Sequence, residues 1–306
     1  MVILCPGQGA QSVGMGRAWH AASAEARATF DQADKILGTR LGSPLSTLCF
    51  EGPEERLNRT DVSQPAIFTV SIACWKGLIA AGGFGNGEAP IAATAGLSLG
   101  EYTALVLGGS MAFADALELV ALRGRAMQDA AEASPGGMVA LIGADESQAD
   151  DICAKARGSD VLVCANYNAP GQIVLSGHKV ACDRAAGVAS EMGLRATPLT
   201  VAGAFHSPLM QPAADRLAAA LAKTAISPAK VTVVSNVTAQ PHAADSASIR
   251  QRLVDQLTSP VRWSQSCQWL TSTIKAEYHE LAPGKTLAGL MRRIDKNTKV
   301  ITHDEP

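Results

Sequence analysis

The pentapeptide Gly96-Leu97-Ser98-Leu99-Gly100 constrains this chain more than any other segment. The short apolar run Ala89 to Ala95 before it reads as a buried strand, and Glu101 to Val106 behind it reads as the start of a helix. A serine between two glycines at a strand-to-helix junction has the pattern of a nucleophile elbow, a sharp turn that exposes the hydroxyl. The glycines are needed because such a turn strains the backbone and leaves little room beside the serine. A glycine-rich turn without chemistry is the bland alternative, and the strand–turn–helix context separates the two.

With 306 residues, 47% of them hydrophobic, the chain can bury one large domain or two modest ones. A formal charge of −2 supplies no global basic field, so neither nucleic acid nor an anionic membrane is expected as a partner. The seven cysteines are scattered, with no Cys-x-x-Cys or Cys/His cluster, which argues against a metal site or a disulfide framework and for a cytoplasmic setting. The N-terminus lacks a basic region and reaches Pro6-Gly7 too soon for a signal peptide. The longest apolar stretch, Ala66 to Phe84, is broken by Lys76 and by glycines and reads as a core helix rather than a membrane span.

Along the chain, a first strand Met1–Cys5 ends in the glycine-rich loop Pro6–Gln11, and amphipathic helices dominate residues 20–85. Ser134-Pro135-Gly136-Gly137 punctuates the chain, and the elements shorten after it. The expected order is then strand Met138–Ile142, helix Ser147–Ala156, strand Val161–Ala165, strand Gln172–Ser176, helix Lys179–Met192 and strand Arg195–Thr200. This βαββαβ order is that of a ferredoxin-like unit. Helix Pro208–Lys223, strand Val231–Ser235, helix Ser246–Leu257, a helical stretch Pro260–Thr273, strand Tyr278–Leu281 and helix Leu287–Ile294 complete the chain, with a frayed tail at His303–Pro306. The expected fold class is α/β. A large α/β-hydrolase-like domain with a short parallel sheet spans 1–133 and 201–306, and the ferredoxin-like small domain, 134–200, is inserted into it.

A serine nucleophile needs a base, and of six histidines His206 stands out. Ser207 is a good N-cap and Pro208 fits the first helical position, so His206 sits in a loop entering a helix, where an imidazole can face a cleft. A loop histidine with a structural hydrogen bond is the alternative. His20, His178, His242 and His279 read as surface residues, and His303 lies in the tail. An oxyanion needs donors: the Leu99 amide follows the nucleophile, and the loop Gly7-Gln8-Gly9 is the only good source of a second. Nucleotide readings fail on spacing. Ser12 stands where a dinucleotide fingerprint wants glycine, and the earlier glycine required by Gly284-Lys285-Thr286 would fall at His279.

Arg123 falls within an apolar helical stripe of Ala116, Leu119, Val120 and Met127, opposite Glu118 and Arg125. A guanidinium there needs an anion, either a protein carboxylate or that of a ligand, to which its planar fork donates two parallel hydrogen bonds.

These residues, taken together, resemble the malonyl-CoA:acyl carrier protein transacylases. The likeness runs from Pro6-Gly7-Gln8-Gly9-Ala10-Gln11 through Ser63-Gln64-Pro65-Ala66, Gly96–Tyr102, Leu122-Arg123-Gly124, Asn166–Gln172, Phe205-His206-Ser207 and Ser235-Asn236-Val237 to Gly284-Lys285-Thr286-Leu287. The resemblance implies Ser98 as nucleophile, His206 as its base and the amides of Gln8 and Leu99 as oxyanion donors. It implies Arg123 as carboxylate clamp, and a backbone carbonyl near Gln256, rather than an aspartate, orienting the histidine. Gln64, Met127, Phe205 and Asn166 would line the acyl site, with bulky Phe205 favouring malonyl over methylmalonyl. Gly203 departs from the histidine common at the start of that motif. The implied enzyme is free-standing, monomeric, without cofactor or metal, using a coenzyme A thioester as substrate and phosphopantetheinylated acyl carrier protein as partner in fatty acid synthesis. Lys285, Arg292, Arg293, Lys179 and Arg184 are candidate contacts for the acidic carrier by position. The rival reading is a serine hydrolase or thioesterase, but an α/β-hydrolase places its histidine near the C-terminus, whereas His206 is mid-chain. A non-catalytic acyl-CoA- or carrier-binding protein would not need Ser98 and His206 together.

Overall fold

The apolar N-terminal run forms β1 (Val2–Cys5), the middle strand of a five-stranded parallel sheet. The computed structural model describes residues 1–83 and 90–306; Phe84 and Ala89, the ends of two expected elements, lie outside them. Along the chain follow β2 (Ala93–Gly96), β3 (Gly136–Ile142), β4 (Leu162–Ala169), β5 (Gln172–His178), β6 (Arg195–Pro198), β7 (Thr232–Val234), β8 (Tyr278–Leu281) and β9 (Val300–His303). The parallel sheet has the order β7-β2-β1-β8-β9. β1 is apolar throughout because both its faces are covered: Ile3 and Cys5 join one core, and Val2 and Leu4 join the core on the opposite face. β1 and β2 run in register, Cys5 beside Gly96, so the loops leaving both strands emerge side by side at the carboxyl edge of the sheet. That edge is where open parallel sheets place ligands.

β3 to β6 form a separate antiparallel sheet of order β4-β5-β3-β6, with helices Glu146–Arg157 and Lys179–Glu191 packed on its core. The first of these helices opens with a reciprocal capping box between Asp145 and Gln148. The free edge of β4 contacts the segment before helix Trp263–Thr273: Asn166 bridges to Val261, and the Tyr167 amide donates to the Val261 carbonyl.

Helix Thr60–Ala80 is long and apolar enough to cross a membrane by length and composition, but most of it is buried within this fold. The expected helix from Pro208 opens as a tight three-residue turn, Pro208–Met210, before the α-helix Gln211–Leu221. The frayed tail is a correction. His303 ends β9, which pairs in parallel with β8, and its carbonyl accepts from Trp19 Nε1 at 3.0 Å.

Candidate active site

Ser98 sits in the turn between β2 and helix Gly100–Leu107 with φ of +53°, a conformation that an L-residue holds only when its surroundings enforce it. The glycines permit this. A Cβ on Gly96 would come within 1.9 Å of the Gly100 backbone, one on Gly100 within 2.1 Å of the Cys5 carbonyl, and one on Gly7 within 2.2 Å of the Leu97 carbonyl. Strand, elbow and the Gly7-Gln8-Gly9 loop are thus stacked backbone on backbone. Asn236 straps the elbow: its Oδ1 accepts from the Ser98 amide at 2.6 Å, and its Nδ2 donates to the Gly96 carbonyl at 2.7 Å.

His206 also has positive φ, +56°, just before Ser207 caps the Pro208 turn. Its Nε2 lies 2.8 Å from Ser98 Oγ and its Nδ1 lies 2.8 Å from the main-chain oxygen of Gln256. With Nδ1–H donated to that carbonyl, the Nε2 lone pair faces the hydroxyl, the tautomer that a base requires. Burial, and then the positive charge of Arg123, push the imidazole down to about 4, against the opposing hydrogen bond to Gln256. The ring is neutral at pH 7.

Arg123, on helix Phe113–Ala133, is only 1% exposed. Its partners are three neutral oxygens: Gln64 Oε1 at 2.6 Å, Gln256 Oε1 at 2.9 Å and Ser98 Oγ at 3.0 Å. The Tyr102 ring lies 5.5 Å from the guanidinium carbon. Among the described residues no carboxylate forms an ion pair with it, and Nε has no partner. Burial holds this guanidinium below its ordinary pKa. A buried cation whose direct hydrogen-bond partners are neutral keeps an affinity for an anion.

The structure therefore brings Ser98, His206, Arg123, Gln256 and Gln64 into one hydrogen-bonded cluster. Met127 joins it, its sulfur accepting from Gln64 Nε2 at 3.3 Å, and Phe205 is buried next to His206. The amides of Leu99 and Gln8 have no acceptor among the described residues, and the Gln8 side chain donates to Thr60 Oγ1. Asn166 is buried on β4 and shares no hydrogen bond with the cluster among the described residues.

A family model described as an acyl transferase domain matches residues 2–301. The malonyl CoA-acyl carrier protein transacylase of Salmonella typhimurium is 41% identical over 302 residues, covering 98% of this chain and 94% of that protein. This chain belongs to the malonyl-CoA:acyl carrier protein transacylase family. The transacylase of Bacillus subtilis is 39% identical, covering all of this chain and 94% of its own. A crystal structure of the Xanthomonas oryzae transacylase superposes with a TM-score of 0.93 at 41% identity, covering 100% of this chain and 94% of that one. A malonyl-transacylase solved in complex with its type II PKS acyl-carrier protein gives 0.93 at 35% identity, covering 100% and 96%.

Within this family member, several residues escaped the reading of the sequence. Glu101 and Asn236 lie inside recognisable motifs but carried no expected role. His242, expected on the surface, has a side chain that is 1% exposed and an Nε2 that lies 2.7 Å from Glu101 Oε1. His279 is likewise buried rather than exposed, its Nδ1 3.0 Å from His303 Nε2, because β9 covers that edge. His20 is half-buried against Phe30 and Phe50, and half-buried His178 contacts Asp160. Of the candidate carrier contacts, Lys179 pairs with Asp183, Arg184 pairs with Asp160, and Arg293 donates to the Pro170 carbonyl. Lys285 and Arg292 are exposed without an ion pair among the described residues.

Proposed function

We propose that this chain transfers a malonyl group from malonyl-CoA to the phosphopantetheine thiol of an acyl carrier protein through an ester on Ser98. The observation that carries this reading is the buried Arg123 guanidinium, bonded to the Ser98 hydroxyl and without an ion pair among the described residues. An acyl chain with a free carboxylate supplies the missing charge and is positioned by it for attack. The names of the relatives, and the carrier complex of the similar malonyl-transacylase, support the same substrate and partner.

In the first half-reaction Ser98 gives its proton to His206 Nε2 as Oγ attacks the thioester carbonyl. The amides of Gln8 and Leu99 receive the oxyanion. Collapse breaks the carbon–sulfur bond, and the departing thiolate takes the proton from His206. In the second half, the carrier thiol gives His206 its proton and attacks the malonyl ester. Ser98 leaves and is reprotonated. The Gln256 carbonyl orients the imidazole through Nδ1 and accepts from it in both the neutral and the protonated ring. Gln64, Met127 and Phe205 line the acyl end, and Asn166 is assigned a place there by resemblance.

The reaction needs no cofactor beyond the coenzyme A of the substrate. We read residues 1–133 and 201–306 as one α/β-hydrolase-like domain and 134–200 as an inserted ferredoxin-like domain. The βαββαβ succession with sheet order β4-β5-β3-β6 supports the latter. A cytoplasmic monomer acting in fatty acid synthesis completes the proposal. Turnover of malonyl-CoA with and without phosphopantetheinylated carrier tests transfer. Carrier-dependent release of coenzyme A is expected, and fast release indifferent to the carrier would assign the chain to hydrolysis instead.

A further inference from the structure

We infer that Glu101 is a positioning residue for acyl transfer, fixing through Gln256 and Asn236 the base, the clamp and the nucleophile together. This rests on the reading that Ser98, His206 and Arg123 carry out the transfer. Glu101 lies in the first turn of helix Gly100–Leu107, three residues after the nucleophile, and is fully buried. Its two oxygens face three donors. Oε2 accepts from Gln256 Nε2 at 2.7 Å and from the Asn236 amide at 3.1 Å, and Oε1 lies 2.7 Å from His242 Nε2.

The consequence for Gln256 is chemical as well as geometric. An amide side chain can turn over, exchanging its acceptor for its donor. Were Gln256 to do so, its NH2 would face Arg123, and two donors would meet in a buried site. Glu101 and the Ser98 carbonyl, the latter 3.0 Å from Gln256 Nε2, both demand the NH2 and so direct Oε1 to Arg123. Holding that side chain also holds the Gln256 main-chain carbonyl against His206 Nδ1. The same carboxylate anchors Asn236, whose side chain grips the Ser98 amide and the Gly96 carbonyl on either side of the strained elbow. His242 is the remaining donor and keeps the carboxylate oriented. The three donors thus give each oxygen of the buried carboxylate at least one partner.

Glu101→Gln has nearly the same shape but offers one acceptor oxygen and an NH2 to three donors, so at least one anchor is lost. The test is single-turnover acylation of Ser98 by malonyl-CoA and, separately, by acetyl-CoA, read by intact mass and normalised to the folded fraction from a circular dichroism melt. The saturating rate constant is expected to fall about 100-fold with malonyl-CoA, the order of loss that misplacement of reacting groups brings, and by less with acetyl-CoA. The preference for malonyl over acetyl narrows as well, because Arg123 loses a fixed partner. A purely structural residue would lower the melting temperature and leave both constants of the folded protein unchanged, and that result overturns the inference. Should Glu101→Gln not fold, His242→Phe decides: it fills the ring volume and removes one donor. Its expected loss in the same constants is about 10-fold, and unchanged constants overturn the inference equally. If wild-type protein is not acylated by malonyl-CoA at all, the functional reading fails. If wild type and variant are acylated alike, only the role of Glu101 fails.

Discussion

Arg123 Nη2 donates to Ser98 Oγ at 3.0 Å, so the buried cation and the nucleophile share a hydrogen bond in the resting site. A bound carboxylate competes for that guanidinium. The residue proposed to select the acyl group is thereby in contact with the atom proposed to attack it.

Replacing Arg123 with alanine is expected to cost malonyl-CoA about 100-fold or more in kcat/KM, in line with loss of a buried charge-assisted contact. Acetyl-CoA turnover is retained or improved, since an acetyl group has no carboxylate to hold. Parallel kinetics with both thioesters check this. An unchanged malonyl preference would make the arginine a structural residue.

The charge on Arg123 also contributes, after burial, to keeping His206 neutral. His206 is held down at about 4 in the folded protein, below its ordinary 6.5, so folding favours the neutral ring. The stabilisation from that neutral ring is present above pH 6.5 and is lost as pH falls toward 4, where the unfolded chain binds the extra proton. Arg123→Met removes the second-largest cause of the depression and should move the pH dependence of Ser98 labelling by a neutral fluorophosphonate toward 6.5. A profile that does not move would mean that burial alone governs the imidazole.

Two glycines give opposite expectations. Gly100→Ala drives a methyl to 2.1 Å from the Cys5 carbonyl, and a loss of about 1–3 kcal/mol or more is expected by urea unfolding, with inactivation. Gly289 lies exposed in helix Thr286–Ile294 with nothing within 4 Å of an added Cβ and no positive φ. Gly289→Ala should therefore stabilise by about 0.4–1 kcal/mol.

Removal of residues 300–306 uncovers the edge of β8 and deletes the acceptor for Trp19 Nε1 and the Asp304 carboxylate that holds the Gly284 amide. A lower melting temperature is expected. An unchanged one would make the segment a dispensable tail.

Local patterns made much of this legible in the sequence. The glycines flanking Ser98, the Ser207-Pro208 helix start beside His206, and an arginine inside an apolar helical stripe each carry their physical reason within a few residues. The βαββαβ succession was legible for the same cause, since turn residues and periodicity punctuate it. What escaped depends on contacts made only by folding. Glu101 and His242 stand 141 residues apart, and nothing near either announces the other. Strand β9 is four residues long and follows a polar run, so its pairing with β8 left no periodic signal. The surface assignments of His242, His279 and His303 failed because polar neighbours in sequence do not predict what packs across them. The neutral surroundings of Arg123 could not be read either, as its partners come from helices Thr60–Ala80 and from the chain just after Ser246–Asp255.

Intact-mass analysis of wild type and Ser98→Ala after separate mixing with malonyl-CoA, methylmalonyl-CoA and acetyl-CoA tests the account most directly. It predicts one added malonyl group on wild type, formed faster than a methylmalonyl or acetyl adduct, and no adduct on the variant. A malonyl adduct that persists on Ser98→Ala, or wild type that stays unmodified by malonyl-CoA, would contradict it.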